Sequence, residues 1–366
     1  MHATKNNIHF PALDGLRAIA AFVVLWTHIE RFKQLRSEPT LFTNAFNSFL
    51  GGLAVTFFFV LSGFLITWLL TTEKQESGNI NSSRFLKKRF LRIAPLYYLV
   101  LILGYLFSIF IFHDTLSDPF ANGFIMNLLL LPNIAFAFGL IPEILIQIWS
   151  IGTEVQFYLL WPFVIKKTRT NILIPVLVLI ILSWNTARVF LWFLGENKSS
   201  LAVIIFRTRI DCMAIGGLFA LSLNSQFENH FALKKLILFV RRNGSGWLLA
   251  ILFSILIWLS WHYNLGWSPL YAFLFACIII RLVHRPSKIL DSNSLNFLGK
   301  ISYGIYLLHH FAVYLVFWGF SNSLGNNSWN ELFYFVAAGL VSVLLASASY
   351  HFYEKKFLAM KARIPQ

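Results

Sequence analysis

The feature that most restricts this chain is the recurrence of apolar runs about twenty residues long, the length that crosses a hydrocarbon core. The first is Phe10 to Glu30, FPALDGLRAIAAFVVLWTHIE. In all, such runs fall at roughly 11–29, 50–71, 93–112, 147–165, 172–192, 210–224, 246–262, 268–284, 301–319 and 332–353. Charged residues make up 12% of the chain and hydrophobic residues 57%, about half the charged fraction of a soluble domain. The pattern predicts an all-α, polytopic membrane bundle of about ten transmembrane helices. No extramembrane stretch is long or polar enough for a soluble domain, so residues 1–366 read as a single integral-membrane domain. The first run is too long and too charged for a cleavable signal peptide and stays as the first anchor.

The net charge of +15 would suggest nucleic acid on a soluble protein. Here its distribution reads as topology, with no nucleic-acid partner expected. With ten spans and both termini cytoplasmic, the inner segments hold Lys5, Lys74, Arg84 to Arg92, Lys166 to Arg169, Lys234 to Arg242, Arg281 to Lys300 and Lys355 to Arg363. The outer ones hold only Arg31, Lys33, Arg36, Lys198, Arg207 and Arg209, as the positive-inside rule requires. An eleventh apolar run, 124–141, is broken by Pro132 and bounded by Pro142. If it crossed, the later basic loops would move outside, so it is expected to be re-entrant or interfacial. Cys212 and Cys277 lie within apolar runs, which argues against a disulfide framework or a zinc site. No metal is expected.

Asp14, Arg17 and His28 interrupt the first run. Eleven residues of helix turn 1100°, three turns plus about 20°, so Arg17 and His28 share a stripe. Asp14 lies within about 40° of His28 on the same wheel, and Arg17 and His28 are about 16 Å apart along the axis. Ionisable groups inside a membrane face a protein interior or a wet cavity, which makes this stripe the first candidate active site. Asp14 could equally cap the first helix after Pro11.

Further candidates lie in later runs. Ser62, before Gly63, either packs closely or lines a pore. Arg89 and Arg92 are three apart on one helix face and match phosphate or carboxylate geometry, although basic clusters at helix ends also mark topology. Glu154, deep in the fourth run, needs a partner such as His28 or Arg17, while Trp149, Tyr158 and Trp161 read as packing or interfacial belts. Arg209 and Asp211 could pair with each other or meet an anionic or hydroxyl-rich ligand from outside. Ser302, Tyr303, Tyr306 and His309 occupy the ninth run, with Tyr306 and His309 on one face. The chemistry suggested is general-base catalysis by a histidine, with arginines holding an anion.

These motifs carry a resemblance. DGLRAIAAFVVLWTH, FFFVLSGFLIT, RFLKKRFLRIAPLYY, WSIGTEVQFYLLWP and ISYGIYLLHH resemble, in order and nearly end to end, the membrane acyltransferase-3 family, bacterial enzymes that O-acylate extracytoplasmic sugars. The resemblance implies a multi-pass protein of the bacterial inner membrane. It implies acyl-CoA, most often acetyl-CoA, as co-substrate, with phosphates near Arg89 and Arg92 and the pantetheine arm passing Arg17 along a continuous passage. It implies His28 as the base, oriented by Glu154 or Asp14, acting on a glycan hydroxyl. Many relatives add a soluble hydrolase-like domain; the chain is expected to lack one, which leaves room for a separate periplasmic transferase as partner. Whether the acyl group rests on His28 stays open. The alternative reading is a transporter or flippase moving an acyl donor or lipid-linked glycan without chemistry, which predicts interrupted half-helices.

Overall fold

Backbone groups in a bilayer must find partners within their own segment, and the chain answers with helices throughout. A computed structural model describes residues 10–41, 43–113, 117–196, 199–224, 231–263, 268–320 and 328–364; Lys5 and Lys198, used above for topology, lie outside them. The helices are α1 (Pro11–Leu35), α2 (Asn44–Ser77), α3 (Ser82–Ile111), α4 (Asp118–Leu128), α5 (Pro132–Ala137), α6 (Trp149–Lys167), α7 (Leu173–Phe193) and α8 (Ser200–Thr208). They continue as α9 (Ile210–Leu221), α10 (Phe231–Val240), α11 (Ser245–Tyr263), α12 (Ser268–His284), α13 (Asn293–Lys300), α14 (Ser302–Phe320), α15 (Ser328–Ser349) and α16 (Lys355–Ala362). No strand occurs among the described residues.

Among the described residues seven segments are long and apolar enough to cross a membrane: Ala12–Leu35, Ala45–Ser77, Ser82–Ile111, Thr170–Phe193, Ser245–His262, Ser302–Phe320 and Leu332–Ala362. The other three expected spans fall on α6, α9 and α12, of 19, 12 and 17 residues. Arg209 adopts a left-handed backbone, φ +41°, and separates α8 from α9. A non-glycine residue there costs about 1–3 kcal/mol unless its surroundings hold it. Its guanidinium Nη1 donates to the Gly52 carbonyl at 2.8 Å and to the Thr56 hydroxyl, both on α2. α3 begins eleven residues before the expected 93, so the basic stretch is itself helical.

The ends of the bundle can be told apart by hydrogen bonds. Lys74, near the end of α2, donates to the carbonyls of Ile165 and Thr168 at the end of α6, each at 2.7 Å. α3 leaves from this end and α6 returns to it, so residues 112–148 begin and finish on the far side. Between them α4 dips to the middle of α3, where Tyr97 and Tyr98 donate to the carbonyls of Asn127 and Leu128 at 2.7 and 3.1 Å. The chain then climbs back through α5 to Glu143, which takes a bidentate pair from Arg31 near the far end of α1, 2.6 and 3.0 Å. The 124–141 run is therefore no single helix but the end of α4 and the short α5, joined by a turn. The basic end also receives α16, which packs against α3.

α2 is the central post, and its contact with α9 depends on two glycines. A Cβ at Gly63 would lie 2.0 Å from the Met213 carbonyl, and one at Gly216 would lie 2.0 Å from the Val60 carbonyl. Small residues let backbones approach this closely where lipid supplies no hydrophobic drive. Ser62-Gly63 thus realises both readings of the motif, with the glycine packing and the serine facing a cavity. We expect Gly63→Ala to separate α2 from α9 at a cost of about 1–3 kcal/mol or more. The melting temperature in detergent should fall accordingly, and an unchanged value would contradict this packing.

Candidate active site

The central cavity is built where α1, α2, α3, α6 and α14 meet. It has a volume of about 170 Å³ and takes eight of the candidates into its wall: Arg17, Ser62, Arg89, Arg92, Glu154, Ser302, Tyr303 and Tyr306. α6 brings Glu154 in, and its carboxylate accepts from the Ser62 hydroxyl at 2.7 Å and from the Tyr158 hydroxyl at 3.2 Å. The cations whose field reaches it are Arg17 and Arg89. Arg89 lies over the rings of Phe85 and Tyr158, at 5.4 and 5.8 Å, and Arg92 over Tyr303 at 5.9 Å. Among the described residues neither Arg89 nor Arg92 is in an ion pair. The wall carries three guanidiniums and one carboxylate, with Asp14 on Arg17 and Glu354 facing Arg92 from outside it, and Arg89 and Arg92, in no ion pair, suit an anion carrying phosphates or a carbonyl oxygen.

His28 and His309 form a second centre beside the first. His309 Nε2 and His28 Nδ1 are 2.9 Å apart, His309 Nδ1 is 2.6 Å from the Tyr306 carbonyl, and His28 Nδ1 is 3.0 Å from the Val24 carbonyl. A carbonyl only accepts, so both Nδ1 atoms carry the proton. The neutral His309 then offers its Nε2 lone pair to the His28 Nδ1–H. What remains is the His28 Nε2 lone pair, the form a general base needs. His309 thus holds the tautomer that a carboxylate was expected to hold.

Several expectations change here. Neither Asp14 nor Glu154 orients His28: Glu154 is engaged by Ser62 and Tyr158, and Asp14 sits about 21 Å away along the helix axis. Asp14 is in the first turn of α1 rather than at its cap, and it pairs with Arg17 at 3.1 Å. Asp211 does not pair with Arg209. It is fully buried and takes a bidentate pair from Arg188, both bonds 2.8 Å, a structural ion pair of α7 with α9. The cavity also stops short of His28. Tyr306 closes it, held by Ser150 at 2.7 Å and by the Gln147 carbonyl at 3.0 Å, with the His309 ring 6.0 Å beyond. The continuous passage is therefore divided in this structure.

Other residues gain roles that sequence did not assign. Tyr158 belongs to the Glu154 network, and its position four residues on from that glutamate was the available signal. Glu354, just beyond the last expected span, is buried, bonds Ser349 at 3.2 Å and faces Arg92. A π-turn at Tyr350–Glu354 places it there. His310 is 7% exposed, and its Nε2 has no hydrogen-bond partner. His28, His309 and His310 offer nitrogens within 4.8 Å of one another, close enough for a metal ion. The direct His28–His309 contact instead commits those two rings to each other.

Comparison with known proteins adds an independent line. A family model described as an acyltransferase domain matches residues 10–351. The peptidoglycan O-acetyltransferase OatA of Listeria monocytogenes is 32% identical over 162 residues, 42% of this chain and 24% of that protein. The putative peptidoglycan O-acetyltransferase YrhL of Bacillus subtilis is 27% identical over 379 residues, 97% of this chain and 56% of that protein. The O-acetyltransferase OatA of Staphylococcus aureus is 28% identical over 371 residues, 94% of this chain and 57% of that protein. The chain thus spans about half the length of the last two and a quarter of the first. No solved structure matches it.

The imidazole pair gives a test free of any relative. Solid-state ¹⁵N spectra of the histidine-labelled protein, taken where the rings are neutral, should show His28 and His309 in the Nδ1–H tautomer. A proton on His28 Nε2 would remove the proposed base.

Proposed function

The chain belongs to the acyltransferase-3 family, and on that premise we propose that it transfers an acetyl group from cytoplasmic acetyl-CoA to a hydroxyl of an extracytoplasmic glycan. The single observation that carries this reading is an arginine-rich cavity beside a pair of histidines bonded through His28 Nδ1. The ten-span arrangement with both termini in the cytoplasm is part of the same proposal. It puts the basic end, with Arg89, Arg92 and α16, beside the cytoplasmic donor in a bacterial inner membrane. Peptidoglycan, which the names of two of the three relatives specify, is the acceptor the reading favours.

The donor's phosphates meet Arg89 and Arg92 at the inner mouth, and the thioester tip enters past Arg17. A cavity of about 170 Å³ holds such a tip rather than the nucleotide. The thioester reaches His28 when Tyr306 swings aside. His28 Nε2 then takes the proton of the sugar hydroxyl as its oxygen attacks the thioester carbonyl. The C–S bond breaks, an ester forms, and the proton passes to the departing CoA thiolate. His309 is the positioning residue that keeps His28 in the reactive tautomer. Glu154 balances the guanidiniums, and Ser62, Ser302 and Tyr303 shape the wall.

One observation favours transport without chemistry: the break at Arg209, φ +41°, resembles the interrupted helices of transporters. Covalent product discriminates between the two. Purified protein in nanodiscs, given radiolabelled acetyl-CoA and a peptidoglycan fragment, should yield labelled ester. Loss of a general base costs typically about 10²–10⁴-fold, so His28→Ala should lower the rate by that much while remaining folded. Undiminished transfer by that variant would take His28 out of the mechanism. Arg89→Gln should raise the KM for acetyl-CoA by about tenfold, the loss of one charge-assisted contact, and largely spare kcat.

A further inference from the structure

At the far end of the bundle, between α2, α8, α11 and α12, lies a cavity of about 460 Å³ walled by Arg207, Arg209, Ser48, Ser260, Trp261 and Ser268, among others. A neighbouring cavity of about 490 Å³ shares Arg207, Arg209 and Ser268 with it, so a groove runs across both guanidiniums. These volumes fall within the range of small-molecule sites.

The charges in this region are not balanced. Arg31 is committed to Glu143 and Arg188 to Asp211. Among the described residues, Arg207 and Arg209 have no carboxylate within ion-pair distance. Arg207 lies over the Phe136 and Trp149 rings at 5.2 and 5.4 Å. Arg207 is solvent-exposed at the groove and is a cation at neutral pH. The Nε of Arg209 is buried without a partner. Two guanidiniums lining one groove with no carboxylate in an ion pair with either among the described residues fit an anion. Around them stand hydroxyls and the half-exposed indole of Trp261, an amphipathic surface suited to a sugar ring. The groove is near the chemistry: a Cβ at Gly51, beside the Gly52 that Arg209 binds, would lie 3.0 Å from the Thr27 hydroxyl, next to His28.

We propose that this groove is the acceptor subsite and that it selects a glycan bearing an anionic group, a carboxylate or a phosphate, held by Arg207 and Arg209. This rests on the reading of the chain as a glycan acyltransferase. The hydroxyls and Trp261 receive the sugar that carries the anion, and the hydroxyl to be acylated projects along α2 towards His28.

The test is binding without turnover, by calorimetry of the full chain in phosphatidylcholine nanodiscs. Three probes share one disaccharide backbone: a neutral form, a glucuronate form and a phosphorylated form. At least one charged form should bind about tenfold tighter than the neutral one, the value of one charge-assisted contact, and added salt should erode that preference. Whichever charged form gains identifies the anion. Arg207→Gln should bring the preference to within about twofold, and Arg207→Lys, which keeps the charge without the fork, should restore part of it. Equal affinity for all three probes in the unaltered protein, or a preference intact in a folded Arg207→Gln, would overturn the proposal. Failure of acetyl transfer with the preference intact would sink the enzymatic reading and leave the anion site standing.

Discussion

A guanidinium or carboxylate within a membrane cannot face lipid without a penalty of several kcal/mol, and this requirement organises the bundle. Arg17, Arg89, Arg92 and Glu154 come from three different helices and all turn to one cavity. α1, α3 and α6 must therefore stand around a common axis, with α2 and α14 completing the wall. Each helix places its charge by a few degrees of rotation, so the cavity fixes the azimuth of every helix around it. The glycine contacts of α2 with α9 then brace the side of the post that faces away.

The buried charges sort into two kinds. Arg188 and Asp211 satisfy each other completely at 2.8 Å, which makes them part of the architecture; such a pair costs far more to break than it returns in net stability. Arg89, Arg92, Arg207 and Arg209 lie over rings or against hydroxyls and carbonyls and lack a carboxylate of their own among the described residues. Cations in that condition stand at both ends of the bundle. That is the arrangement a donor and an acceptor on opposite faces would need.

The long helices and the central cavity were legible because both follow from local rules. Apolar length gives the spans, and rotation by 100° per residue puts Arg17 and His28 on one face. The partners of those residues were not legible. Sequence offers Glu154 or Asp14 as the group beside His28, yet the helix that approaches it is α14, and the match of ring to ring depends on the depth at which α1 and α14 pack. Asp211 was misassigned for the same reason, since Arg188 is distant in sequence and only the packing of α7 on α9 joins them. The left-handed turn at Arg209 was hidden because its stability comes from α2 carbonyl and hydroxyl oxygens rather than from a glycine that a reader could see.

The wall between cavity and base is itself informative. An open, water-filled route through the bundle would let ions and small solutes follow the substrate across. Tyr306 prevents this by standing between the two centres, with its hydroxyl tied to Ser150 and Gln147 and with Gln147 tied back to the Leu307 carbonyl at 2.9 Å. The same residue's carbonyl takes the His309 Nδ1 proton at 2.6 Å, and His309 in turn sets the tautomer of His28. One turn of α14 therefore carries both the barrier and the support for the base. A movement that frees the Tyr306 side chain acts on the backbone that positions His309, so access to the cavity and readiness of the imidazole are coupled through that turn.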